Sequence, residues 1–198
     1  MSTQPLGLPA DRRAHFGGLL FLLSLLAFFL ASILLYLMYA YARRDEIQSA
    51  NPLPLSFLLS TICLVVISGL LHFATKAVAR ERRRQMLTYL LVSVIGAIGF
   101  MVIQMWSLWE IIQVPDFTIN PHMGVLGMVI VLAILHALHV AGGVIALALV
   151  TARAALGRYD HERHWAIRFN ALYWHFLDAI WVLMLVAFWI TSGGFAAV

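Results

Sequence analysis

Five stretches of this 198-residue chain are too long and too free of charge to belong to a fold surrounded by water. No Asp, Glu, Lys or Arg occurs between Arg13 and Arg43, from Ile47 to Thr75, from Gln85 to Trp109, or from Phe117 to Ala152. A fifth stretch, Ala171 to Ile190, holds one acid, Asp178. Crossing about 30 Å of hydrocarbon at about 1.5 Å per residue takes roughly 20 residues, and each stretch reaches that length. Lipid offers the backbone no hydrogen-bond partner, so such stretches satisfy their own N–H and C=O groups as helices. Charged residues make up 11% of the chain, against about 25% in soluble domains, which excludes the soluble-enzyme class. The expected fold is all-α: a polytopic membrane protein with a five-transmembrane-helix bundle. It forms a single membrane domain over residues 1–198, with spans near 17–41, 54–76, 86–110, 123–151 and 170–191.

The few charges then give an orientation. If the N-terminus lies on one side, that side holds Arg12 and Arg13, the run Lys76 to Arg84, and the run Arg153 to Arg168. Together these carry eleven of the thirteen Lys and Arg residues. The other side has Arg43 and Arg44 beside Asp45 and Glu46. The positive-inside rule places the N-terminus inside and the C-terminus outside. The basic residues follow this membrane pattern, so nucleic acid is not an expected partner. The first apolar run is far longer than a signal-peptide core and is expected to be a retained helix. Cys63, the sole cysteine, forms no intrachain disulfide and no cysteine-based metal site. Pro52 and Pro54 restrict the backbone before the second span, and Pro115 and Pro121 mark the loop before the fourth. Tyr36, Tyr39, Tyr41, Trp106 and Trp109 suit interfacial anchoring or ordinary packing. Gly69, Gly96, Gly99, Gly124, Gly127, Gly142 and Gly143 allow close helix contact, with Gly96 and Gly99 offering a surface to a helix of this chain or of another.

Ionisable groups inside a membrane cost several kcal/mol unless paired, which makes them the functional candidates: His72, Glu110, His136, His139, His175 and Asp178. His136 and His139 share one helix face, and His175 and Asp178 share a face on the next span. Counted from Arg153 and Arg168, His139 lies about 21 Å deep and Asp178 about 15 Å, about one turn apart in level. Three readings follow: a polar network that fixes helix packing, a contact with a partner or lipid, or ligand and proton chemistry. Glu110, after Trp109, reads most plainly as a solvated helix-end carboxylate. Lys76, Arg80, Arg82, Arg83 and Arg84 set topology and attract anionic lipid headgroups.

The stretch Leu135 to Gly143 (LHALHVAGG), followed by Tyr173 to Trp181 (YWHFLDAIW), resembles subunit III of haem–copper terminal oxidases. Trp174, His175, Phe176, Asp178 and Trp181 match that family's last-helix pattern, while Ala137 stands where the preceding pattern has glycine. Weaker similarity runs through Ser60, Thr61, Ser68, the Ala74-x-x-Ala77 run and Phe117 to Ile119. The resemblance is to the short five-helix bacterial form, in a divergent version. The acid that follows a serine in the family's corresponding first helix is Leu25 here, after Ser24, so a proton role for that acid does not carry over. Of a Gln-x-x-Glu pair in span three, one partner matches: Gln104 in register puts Ser107 at the glutamate, and Glu110 in register puts Ser107 at the glutamine.

The resemblance implies a non-catalytic subunit with no catalytic, cofactor or metal site of its own. It would bind phospholipid, stabilise the catalytic haem–copper subunit I, and support proton uptake while the complex reduces oxygen to water and pumps protons. Haem and copper would sit in partner subunits I and II, and the location implied is the bacterial inner (plasma) membrane. His136, His139, His175, Asp178, Trp174, Trp181 and Glu110 would serve the polar network or a lipid or partner contact. A close alternative is an accessory protein of the same family associated with nitric oxide reductase. Another class is a small membrane cytochrome b, with His136 or His139 and His72 or His175 as haem ligands. A transporter would need broken helices at matching positions in two halves, a pattern not seen here.

Overall fold

A computed structural model of the protein describes residues 10–43, 53–54, 56–112, 123–157, 165–192 and 195–196. Five helices dominate: α1 (Ala10–Ala42), α2 (Ser56–Ala79), α3 (Arg83–Ile112), α4 (Met123–Ala155) and α5 (Trp165–Ser192). All five are long and apolar enough to cross a membrane. Helices α1, α3 and α5 begin before the expected spans, because helical backbone pairing continues past the apolar run into flanking residues such as Arg83 and Trp165. The loop readings at Pro115, Pro121 and Phe117 to Ile119 lie outside the described residues, as do Arg44, Arg158 and Arg163.

Side-chain contacts fix the helix directions. His15 packs on Trp165, with ring centroids 3.6 Å apart, while Tyr36 hydrogen-bonds Thr191 at the far end. Helices α1 and α5 are therefore parallel. Thr61 meets Trp181 and Ser68 meets His175, so α2 runs antiparallel to α5. Helix α5 touches α1, α2 and α4, and α3 packs on α2 and α4. The most enclosed helix is α5 and the least enclosed is α1.

Two strands of two residues each, β1 (Leu53–Pro54) and β2 (Phe195–Ala196), pair in parallel and tie the start of α2 to the end of α5. At the opposite, basic end the α2–α3 turn is tight. Arg82 N–H bonds the Ala77 carbonyl at 3.0 Å and Glu81 N–H bonds that of Val78 at 3.1 Å. With Glu81 at φ 57°, this is a Schellman-type stop that satisfies carbonyls left open by α2. Helix α4 stops nearby, with Gly157 at φ 72° two residues past its last residue. A β-carbon on Gly157 would lie 2.9 Å from the Arg83 guanidinium, which donates to the Ala155 carbonyl at 3.0 Å. A cation at a helix C-terminus is favourably placed against the helix dipole. One member of the basic cluster thus joins α3 to α4.

The core is built from residues three and four apart, as in Met86, Leu90, Ser93, Ala97, Phe100, Gln104 and Ser107 along α3. Of the glycines, Gly143 lies against Tyr173, with 3.0 Å from an added β-carbon to its ring, and Gly96 against Ile67 at 3.1 Å. Gly69, Gly99, Gly127 and Gly142 meet nothing within 4 Å.

Candidate functional site

The polar residues of α4 and α5 turn to different neighbours. On α5, the His175 ring nitrogen Nδ1 hydrogen-bonds the Ser68 hydroxyl of α2. Ser68 is also within hydrogen-bonding reach of the Asp178 carboxylate, whose Oδ1 has no protein partner. Ser68 has one proton to give. A chain in which it gives that proton to the carboxylate and receives one from His175 Nδ1 leaves His175 Nε2 as an acceptor. His72, one turn along α2, places its ring centroid 6.5 Å from that of His175. The acid and His175 therefore link α5 to α2.

His136 and His139 sit on the α1 and α5 side of α4. His139 Nδ1 donates to the Leu135 carbonyl of its own helix at 2.7 Å, a bond four residues back that fixes the ring within the helix. Its own carbonyl accepts from the Tyr173 hydroxyl at 2.9 Å, and its ring meets Phe29 edge-on at 5.0 Å. His136 is fully buried. It stacks on Trp181 at 5.3 Å, and neither ring nitrogen has a protein partner.

Trp181 is the hub of this half of the core. Its indole N–H donates to Thr61 Oγ1 at 2.9 Å, and Thr61 in turn donates to the Phe57 carbonyl at 2.7 Å. Phe57 and Phe100 meet the same indole edge-on at 5.6 and 6.4 Å. Four helices thus converge on one side chain. Trp174 is equally buried, yet its Nε1 has no protein partner.

Among the described residues, seven buried side-chain atoms are in that position: both nitrogens of His136, both amide atoms of Gln104, Asn170 Oδ1, Trp174 Nε1 and Asp178 Oδ1. An unsatisfied buried polar atom costs about 1–3 kcal/mol. Seven together would rival the roughly 5–15 kcal/mol by which a folded protein is stable. Such atoms have to be served by something other than the protein's own side chains.

Near the basic end, a cleft of about 320 Å³ opens between α1, α2 and α5, lined by His15, Leu19, Thr75, Trp165, Arg168, Ala171, Leu172 and His175. Lys76, Arg80, Arg82, Arg83 and Arg84 are exposed at the same end; Arg82 donates to Gln85 at 3.4 Å and Arg83 caps α4 as described. Glu110 lies in the last turn of α3, and its side chain is outside the described residues. Among the described residues, no group of three or more His, Cys, Asp and Glu side chains is placed to hold a metal ion.

Several partners in this arrangement are quiet in the sequence. Neither Tyr173 nor Asn170 is an ionisable group that the sequence marks as a candidate, although Asn170 falls on the buried series Ile167, Asn170, Trp174, Leu177 of α5. A polar residue in phase with a core series is the signal that marks it. Ser68 stands in the same relation to Leu64 and Leu71 on α2.

Residues 12–192 match the family model described as cytochrome c oxidase subunit III. Curated relatives carry the name cytochrome c oxidase subunit 3. The protein of Prototheca wickerhamii is 29% identical over 195 residues, covering 93% of this chain and 72% of the relative. That of Pongo abelii is 27% identical over 190 residues, covering 91% and 70%. The Marchantia polymorpha protein is 29% identical over 189 residues, covering 90% and 69%.

Proposed function

Since the chain belongs to the cytochrome c oxidase subunit III family, we propose that it is the non-catalytic third subunit of a respiratory haem–copper oxidase. It packs against the catalytic subunit I, in a complex that also holds subunit II. Those partners carry the haem and copper, reduce oxygen to water and pump protons. The chain stabilises subunit I, binds phospholipid and supports proton uptake. Its orientation is N-terminus inside and C-terminus outside, in a bacterial inner membrane, so that the basic end faces the cytoplasm.

The family match through all five helices carries this reading, and the polar chemistry supports it. His175 is engaged by Ser68, His139 by its own helix and Trp181 by Thr61. The Ser68 and Thr61 bonds hold α5 in register with α2. In lipid, polar bonds and small-residue contacts supply much of helix association, because burying apolar surface gains little there. Phospholipid headgroups would be drawn to Lys76, Arg80, Arg82 and Arg84 at about 1 kcal/mol per basic residue near an anionic surface.

Native mass spectrometry of the complex, purified in detergent from its own membrane, tests the assignment. A partner carrying both haem and copper is expected. A partner with haem and non-haem iron but no copper would instead place the chain with a nitric oxide reductase. Recovery of the chain alone, with haem bound to it, would overturn the non-catalytic reading.

A further inference from the structure

Three of the unpartnered atoms fall on one line. Asn170, Trp174 and Asp178 are four residues apart along α5, so successive members rise by about 6 Å on nearly the same face. Asn170 is 4% exposed and Trp174 0%. Asn170 Oδ1, Trp174 Nε1 and Asp178 Oδ1 each lack a protein partner. Their chemistry alternates as acceptor, donor, acceptor.

The backbone rise between successive members is close to what one bridging oxygen covers. Two hydrogen bonds of about 2.9 Å through a shared oxygen span up to about 5.8 Å. Direct pairing of these side chains is not what the structure holds, and no ion is needed to balance one donor between two acceptors. We propose that the core face of α5 binds a short file of internal water molecules from Asn170 past Trp174 to Asp178. A water that accepts the indole proton has two protons to give. One serves Asp178 or Asn170 directly, and the other reaches the remaining acceptor through a second water.

Both ends of the file are defined. One turn beyond Asp178, the Trp181 indole is tied to Thr61 and stacked on His136, which closes the column. At the other end, Asn170 lies in sequence between Arg168 and Ala171, which line the cleft with His15, Thr75 and His175. Water therefore enters from the basic end. The deep carboxylate is solvated from within the bundle, and this holds whichever oxidase or reductase the chain accompanies.

Hydroxyl-radical footprinting in ¹⁸O-labelled water tests the file, because radicals made from a bound water oxidise the side chain beside it even in a buried site. It is done on the chain purified from its native membrane with the partners it brings. Trp181 is the internal control, being equally buried but hydrogen-bonded to protein. Trp174 is expected to gain ¹⁸O several-fold faster than Trp181. In Asn170→Leu, Trp174 labelling should fall towards the Trp181 rate while Trp181 itself is unchanged. Equal, slow labelling of the two tryptophans in the unaltered protein overturns the proposal, and so does undiminished Trp174 labelling in Asn170→Leu. Should that variant fail to assemble, the ratio in the unaltered protein decides alone.

Discussion

Trp181 and Asp178, three residues apart on α5, meet the same demand in two ways. The indole N–H has a protein acceptor, Thr61 Oγ1, on a neighbouring helix. Hydrogen bonds between membrane helices are worth about 0.6 kcal/mol on average and under about 2 kcal/mol at most. A double-mutant cycle of Thr61→Val and Trp181→Phe, read by thermal unfolding in detergent, should give a coupling of about 0.5–1 kcal/mol. A coupling of zero would remove the bond from the account. Asp178 has Ser68 on one side and an unpartnered oxygen on the other. Asp178→Leu removes the carboxylate beside Ser68 and leaves polar atoms unserved, at about 1–3 kcal/mol. The melting temperature of the complex should fall while oxygen turnover per assembled haem stays constant. An unchanged melting temperature with lost turnover would give Asp178 a part in the chemistry instead.

At the scale of elements, adjacent glycines separate close helix contact from mere exposure. A β-carbon at Gly143 would already lie 3.0 Å from the Tyr173 ring and 3.4 Å from Leu177, whereas Gly142 meets nothing within 4 Å. Gly143→Leu should push α4 from α5 and destabilise by about 1–3 kcal/mol. Gly142→Leu should stay within about 0.5 kcal/mol. Unfolding of the two variants side by side measures the difference, and equal effects would contradict the packing. The sequence alone could not rank these two residues. It marked the five spans plainly, because a charge-free run of about 20 residues has few other uses. It did not mark which face of each helix is inside, since lipid and protein interior are both apolar and no polar stripe separates them. For the same reason the sequence placed His175 and Asp178 together on one face, whereas their partner became visible only once α2 brought Ser68 alongside. Beyond the spans, no sequence signal marks the pairing of Leu53 and Pro54 with Phe195 and Ala196, a contact between segments distant in the chain.

At the scale of the molecule, α5 is the post around which the others are arranged. It carries the parallel contact with α1, the Ser68 and Thr61 bonds to α2, and the Tyr173 and Gly143 contacts with α4. The basic end gathers exposed Arg and Lys residues, the α2–α3 turn, the Arg83 cap on α4 and the cleft. On the proposed reading, a bundle organised in this way holds a neighbouring subunit steady. The most direct measurement is oxygen consumption per haem over time, for the purified complex with the chain and for the same complex depleted of it. Equal initial rates are predicted, followed by an earlier decline without the chain that re-addition of the chain slows. An initial rate abolished by depletion, with the haem and copper content of the remaining subunits intact, would contradict a purely supporting role.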